Sequence, residues 1–417
     1  MGYRHKERPE SIYGNSQLYP GMFPWLFPYG RGEFRNRWIL TRMSRIEHTR
    51  NLLMYHDHRF QKDQYFIFLV FSQKQIADSN TGGYLLSERQ NFSGIAEKIQ
   101  NLDLAALDEL IRRGKTDGYC VPVNAGEKGC FKFMSFLDHV AGHVQGSLTQ
   151  KKYQRNEIWS MIIEYGSPLL FATLSPVPGK HKVCLYFAGV AINLDDYMQV
   201  LPGYDERMRV MSSNPVACAR FFHLRVELFI RVVLQFDRGR DGLFGRTRGY
   251  YGTVESQSRL ALHLHCLIWI EGSLSPQAIR NKVLGDVGFR DRLLQWLESY
   301  HRAEFASSTM NEIGARIRSK NRDVDWDERM SEEVNNDPTT RLPRRPPAFA
   351  SEDSVDTWYE SMCEEVDEIV YLSNRHDSNH RRGCMKNARY TCKARFPRDK
   401  VEVSSVDPKS SISCCDS

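Results

Sequence analysis

His263 and His265 stand two residues apart in "LHLHCLIWI" (262–270). On a β-strand both imidazoles project to one face, close enough to share one cation. The flanking residues Leu262, Leu264, Cys266, Leu267, Ile268, Trp269 and Ile270 are all apolar, which predicts a central strand with a dry environment on both faces. Two imidazoles there must be paired, neutral or metal-bound, because an unsatisfied buried polar group costs about 1–3 kcal/mol. The run "GYYGTVESQ" (249–257) supplies Glu255 and Gln257, again on one common face. A carboxylate beside two imidazoles suits Mg²⁺ or Mn²⁺, with positions left for a phosphate oxygen and water. Such a cation would polarise a scissile phosphate and orient it for in-line attack. If the two runs form a hairpin, Glu255 shares the face of His263 only when the connecting loop has an odd count, such as 258–260 or 258–262. The competing reading is a pair of satisfied core histidines.

A second cluster, His376, His380, Cys384 and Cys392, has the spacing H-x3-H-x3-C-x7-C. Two imidazoles and two thiols suit tetrahedral Zn²⁺ in a closed, structural site. Arg375, Arg381, Arg382, Lys386, Arg389, Lys393, Arg395 and Arg398 crowd the same stretch and could follow a DNA phosphate path, each contact adding salt dependence. Tyr250 and Tyr251, near Arg246 and Arg248, could stack on single-stranded bases, with core packing as the alternative. The remaining histidines carry blander readings. His139 and His143 are one helical turn apart but Val140 follows His139, so no H-E-x-x-H motif exists, and packing or a DNA-facing role is expected. His56 and His58 flank Asp57 in a polar turn, and His223 sits beside Phe221 and Phe222 on a helix.

These side chains need elements to position them. Residues 1–35 include "LYPGMFPWLFPYGRGEF", a turn-rich arm expected to pack through Phe23, Trp25, Phe27 and Tyr29. Residues 36–72 read as helix running into a buried segment, "QYFIFLVF". Helical spacing recurs over Leu102–Arg113, Ser135–Ser147 and 215–236, the last opened by Pro215 behind the cap candidate Asn214. Strands are expected at 168–176, 182–192, 249–257 and 262–270, and a further helix from Pro276 through "RDRLLQWLESYH". Beyond Ala306 the periodicity fades into an acidic linker or insertion, and the end, "SSVDPKSSISCCDS", is expected to be disordered. The fold class is therefore α+β.

Net charge is +6, unevenly distributed. Residues 321–370 hold 15 acidic and 5 basic side chains, leaving 52 basic and 36 acidic elsewhere. A basic body with one acidic insert fits a nucleic-acid partner. Ten irregularly spaced cysteines, with no apolar signal core at the N-terminus, fit reduced thiols in cytosol or nucleus. The absence of 18 consecutive apolar residues argues against a membrane span. No G-x-x-x-x-G-K-[ST] phosphate loop occurs, which argues against an ATP-driven helicase within this chain.

The stretch "GYYGTVESQSRLALHLHCLIWIEG" resembles motif two of the Helitron Rep domain, a His-hydrophobic-His endonuclease. "MFPWLFPYGRGEF", "RMSRIEHTRNLLMYHDHRFQKD", "LDHVAGHVQGSLTQKKYQRNEIWSMIIEYGSP", "NPVACARFFHLRVELFI" and "CKARFPR" are similar to blocks of fungal Helitron proteins, in the same order, from about Tyr19 to Arg398. The resemblance implies a rolling-circle DNA transposase acting in the nucleus on single-stranded transposon ends. It implies an HUH-type antiparallel sheet that binds Mg²⁺ or Mn²⁺ through His263 and His265, with Glu255 or Gln257 as third ligand. It also implies that "FATLSP" (171–176), similar to Rep motif one, lies beside the metal and helps place DNA. Val177 and Pro178 stand where the family usually has Ala-Asp, so an acidic side chain is missing at that edge. The family's paired tyrosines lie beyond "CKARFPR". The nucleophile is thus expected outside this chain, no catalytic residue is assigned, and Tyr371 is not given that role. A separate C-terminal helicase portion is an expected partner, and nicking activity is expected only in the full-length context.

The implied organisation is an aromatic arm (1–35), a mainly helical domain (36–155), a Rep-like HUH core (156–305), an acidic insert (306–370), a His/Cys zinc-like unit (371–400) and a disordered tail (401–417). DNA contacts are expected from Arg246, Arg248, Tyr250, Lys393, Arg395 and Arg398. The alternative function is a non-catalytic DNA-binding remnant of a decayed transposon. A globular scaffold whose basic face meets a protein partner is a third reading.

Overall fold

The computed structural model describes residues 11, 14–32, 34, 43–86, 97, 99–117, 120–196, 199, 201–257, 261–301, 304–320, 340, 344–347, 352–373, 376, 392, 396 and 405, without the side chains of 82–86, 117, 257, 320, 352 and 353. The chain divides into two compact units, Met1–Glu164 and Tyr165–Ser417. Both are rich in helix, and a three-stranded antiparallel sheet lies in the second, making the protein α+β.

The first unit is helical: α1 (Leu18–Met22), α2 (Arg45–Leu53), α3 (Arg59–Lys62), α4 (Phe66–Leu86), α5 (Leu104–Asp117), α6 (Ala125–Gly142) and α7 (Leu148–Tyr165), whose last residue opens the second unit. Helix α2 starts at a capping box, in which the Ser44 hydroxyl accepts from the Glu47 amide and the Glu47 carboxylate accepts from the Ser44 amide. The aromatic arm folds onto this unit. Tyr19, Phe23, Leu26, Phe27 and Phe34 form one core with Leu52, Phe60, Phe66 and Val70. Of the four aromatics expected to pack, Phe23 and Phe27 are buried, whereas Trp25 and Tyr29 are exposed. Trp25 instead donates its indole N–H to Asp63 Oδ2 at 2.8 Å. The "QYFIFLVF" run opens α4 and is buried only on one side: Phe66 and Val70, four residues apart, face the core while Phe68 and Phe71 are exposed. Helix α6 begins ten residues earlier than its expected start at Ser135, because the Asn124 side chain accepts from the Glu127 amide and caps it there.

The second unit contains β1 (Leu170–Leu174), α8 (Lys182–Phe187), α9 (Tyr204–Ser213), α10 (Pro215–Leu228), β2 (Thr247–Gln257), β3 (Ala261–Ile270), α11 (Pro276–Gly285), α12 (Val287–Tyr300), α13 (Met310–Lys320) and α14 (Glu352–Ser373). The expected strand over 182–192 is not formed. His181 Nδ1 accepts from the Val183 amide, and Cys184, Leu185 and Ala188 are buried at helical rather than alternating spacing. They pack with Met211, Ala217, Cys218 and Phe221 in one core. The long helix over 215–236 does begin at Pro215 with the Asn214 side chain as cap, but its α-helical geometry ends at Leu228. It continues as a π-helical turn, Phe229–Val233, and stops where Gln235 and Asp237 take left-handed backbone. The helix expected from Pro276 breaks into α11 and α12 at Asp286, whose side chain caps the second.

The acidic 306–370 stretch is not merely a linker: α13 and α14 lie in it and pack together, with Ile313 fully buried. Asp367 on α14 accepts from the Ala306 amide at 2.8 Å and the Ser307 amide at 2.6 Å, tying the start of this stretch to its end. The acidic residues 323–337 and the tail beyond 405 lie outside the described residues. Among the described residues, no helix is long and apolar enough to cross a membrane.

Candidate functional site

The sheet order is β1-β3-β2, with both pairings antiparallel, so β3 is the central strand as its composition predicts. Three residues, 258–260, connect β2 to β3, an odd count. The register therefore sets Glu255 opposite His263, and Thr253 opposite His265. On the other side Thr173 of β1 also pairs with His265, and Phe171 pairs with Leu267, which faces Tyr251 of β2. Directly paired residues share a face. One face of the sheet thus carries His263, His265, Glu255, Thr253, Thr173, Phe171 and Tyr251.

The opposite face is the core. Leu264, Cys266, Ile268 and Ile270 pack there against Phe222 and Leu234, with Leu170, Ala172, Leu174 and Tyr250 around them. This burial fixes the register, because a slip of one residue would drive both histidines into the apolar layer. Gly252 lies where β2 passes Leu264; a Cβ there would come within 2.8 Å of Leu264 Cδ1, so a side chain at this position would require the Leu264 side chain to shift.

The two imidazoles are held differently. His265 is bonded through both ring nitrogens, Nε2 to Glu255 Oε1 at 3.0 Å and Nδ1 to Thr173 Oγ1 at 3.2 Å. A carboxylate only accepts, so Nε2 carries a proton and donates it to Glu255. His265 keeps 28% and Glu255 54% of their side-chain exposure, so this pair opens to solvent. The Phe171 ring lies parallel to the His265 imidazole, 2° from coplanar orientation with centroids 5.7 Å apart. His263 is 8% exposed, and neither of its ring nitrogens has a hydrogen-bond partner. A buried imidazole with two orphaned nitrogens costs free energy that packing alone does not return. A cation is one group that would take such a nitrogen. As the side chains stand, no three His, Cys, Asp or Glu groups among the described residues converge on one point. The side chain of Gln257 is outside the description, so the choice between it and Glu255 as third ligand rests on Glu255's contact with His265.

The other expected site residues that are described do not contact the histidine pair. Arg246 is exposed and turned back on its own loop, bonding Asp241 Oδ1 at 3.2 Å and Gly239 O at 3.0 Å. Arg248 lies 4.7 Å over the Tyr165 ring, which in turn meets Trp269 edge-on. Tyr250 is on the core face, edge-on to Phe236 at 5.1 Å, so packing is its role here. Strand alternation gives the histidine face to Tyr251 instead. Thr173 and Phe171 were legible only as part of a motif; their same-face alternation in "FATLSP" was the signal for them individually. His139 and His143 are exposed on the first unit with ring centroids 5.6 Å apart. In the C-terminal cluster, Cys392 Sγ is 3.3 Å from His376 Nε2. His380, Cys384, Lys393, Arg395 and Arg398 lie outside the described residues.

An α+β unit whose central antiparallel strand carries a His-x-His pair beside a carboxylate is the structural class that the site defines. The chain belongs to the family of the Helitron helicase-like domain at the N-terminus, whose family model matches residues 48–268, more than half of it. It is therefore an N-terminal region of a Helitron transposase. No curated protein and no solved structure matches the chain.

Proposed function

We propose that this region binds single-stranded transposon DNA and positions a divalent cation at the scissile phosphate, as the HUH-type Rep module of a rolling-circle transposase. The observation that carries the reading is the shared face of Glu255, His263 and His265, with His263 buried and unpartnered. Mg²⁺ or Mn²⁺ would take one nitrogen of each imidazole and the Glu255 carboxylate, with Gln257 as the other candidate on β2. The bound cation would supply charge stabilisation to the phosphate oxygens. The chain's own residues do the rest. Thr173 orients the His265 ring from behind, and the apolar layer beneath β3 keeps both histidines in register. The basic surplus outside the acidic stretch supports a nucleic-acid partner, and a nuclear location follows from that substrate. His376, His380, Cys384 and Cys392 would hold a structural Zn²⁺, the His376–Cys392 contact being consistent with it.

Calorimetric titration of the purified chain with Mn²⁺, beside the double variant His263→Ala, His265→Ala, tests the proposal. One site lost in the double variant supports it. No binding, or binding unchanged in the variant, removes the cation from the account.

A further inference from the structure

Phe171 is a largely exposed aromatic side chain on the histidine face of the sheet. It is 66% exposed on β1, an edge strand of the sheet, while its neighbours Leu170, Ala172 and Leu174 turn into the core. On its own face it pairs with Leu267, which faces Tyr251, and the next row holds Thr173, His265 and Thr253. Isolated exposed apolar side chains are ordinary on protein surfaces. This one differs in two respects. It sits a single pairing row from His265, and its ring is parallel to that imidazole. Parallel, offset rings form an open-ended stack, and the exposed ring surface offers a flat π-face that any nucleobase can meet.

We propose that Phe171 is a stacking site for one base of the bound single strand, next to the phosphate that the histidine pair addresses. The inference rests on the single-stranded DNA reading above and assigns that strand a fixed position on the sheet. A base laid on Phe171 extends the imidazole–phenyl stack and leaves the following phosphate over His265 and Glu255. Stacking reads no base identity, so the site would set register along the strand rather than sequence preference.

The test measures binding of a single-stranded oligonucleotide of mixed sequence to the full chain by fluorescence anisotropy. A single abasic position is moved along the oligonucleotide, and Phe171, Phe171→Leu and Phe171→Trp chains are compared, with Mn²⁺ affinity measured on each. Loss of one stacked base is expected to weaken binding about 5- to 150-fold. The wild type should show that loss at one abasic position. Phe171→Leu should bind the intact strand more weakly by a similar factor and become indifferent to the abasic position, while Phe171→Trp restores the positional loss. Mn²⁺ affinity should stay unchanged in both variants. Because the ring is mostly exposed, neither substitution opens a core cavity, and equal thermal midpoints would verify folding. Unaltered DNA binding by Phe171→Leu, with the abasic profile of the wild type retained, overturns the inference and leaves the DNA reading standing. A parallel loss of Mn²⁺ affinity also overturns it, since the ring would then serve to orient His265. Failure of the wild type to bind single strands at all overturns both.

Discussion

Replacing His263 with leucine should make the cation-free protein more stable. The imidazole is 8% exposed and neither ring nitrogen has a partner, so folding strips water from polar atoms without replacing it. An unsatisfied buried polar group costs about 1–3 kcal/mol. Leucine, similar in size and apolar, removes that cost and adds contact with its surroundings on the sheet. The expected gain is therefore about 1–3 kcal/mol. For a unit of roughly 150–250 residues that corresponds to about 2–4 °C in Tm per kcal/mol. The same substitution should abolish stabilisation by cation. Mn²⁺ at about 100 times its Kd would stabilise the wild type by about 2.7 kcal/mol and leave His263→Leu unmoved. Differential scanning calorimetry with EDTA, then with Mn²⁺, reads both effects. The reasoning fails if His263→Leu is destabilised in EDTA, because the imidazole would then be a well-accommodated packing residue. It fails equally if Mn²⁺ raises both midpoints alike, because the cation would then bind elsewhere.

Glu255→Gln keeps the side-chain length and removes the charge opposite His263; Mn²⁺ affinity should fall by at least the roughly 10- to 100-fold that losing an outer-shell partner costs, and an unchanged calorimetric isotherm would remove Glu255 from the ligand set. A third outcome concerns pH. Burial, helped by the positive charge of Arg225, lowers the pKa of His181 from 6.5 to about 4. A depressed histidine means that the unfolded chain protonates first as pH falls, so stability is full above about 6.5 and is lost on the way down to 4, by about 3 kcal/mol. His181→Asn retains an acceptor for the Val183 amide without titrating, and its thermal midpoint should vary less between pH 6.5 and 4; equal slopes for the two proteins would contradict the assignment.

The hairpin was legible because the two histidines of β3 alternate with an unbroken apolar row. Leu264, Cys266, Ile268 and Ile270 demand a core beneath β3, which leaves His263 and His265 a face in common, and the three-residue connection then brings Glu255 to it. What the sequence hid was hidden by residue type. "KVCLYFAGVAI" is rich in strand-forming residues, yet His181 caps it as a helix and Cys184, Leu185 and Ala188 meet a core supplied by α9 and α10. Tertiary packing overrides such local preference. The acidic stretch read as a linker or insertion because its charge masks an apolar stripe; in α14 Asp367 is buried by accepting two backbone amides of 306–307. Tyr250 and Tyr251 were indistinguishable by composition; alternation counted from Glu255 separates them, and the packing shows Tyr250 in the core. Thr173 was invisible as a partner of His265, because the pairing spans 92 residues.

The most direct test of the central claim is the electron spin-echo spectrum of Mn²⁺ added to the full chain. The account predicts ¹⁴N modulation from two imidazoles, reduced in either single variant, His263→Ala or His265→Ala, and absent when both are replaced. Modulation from water protons alone, or nitrogen coupling that survives the double substitution, would contradict a cation held on the histidine face of this sheet.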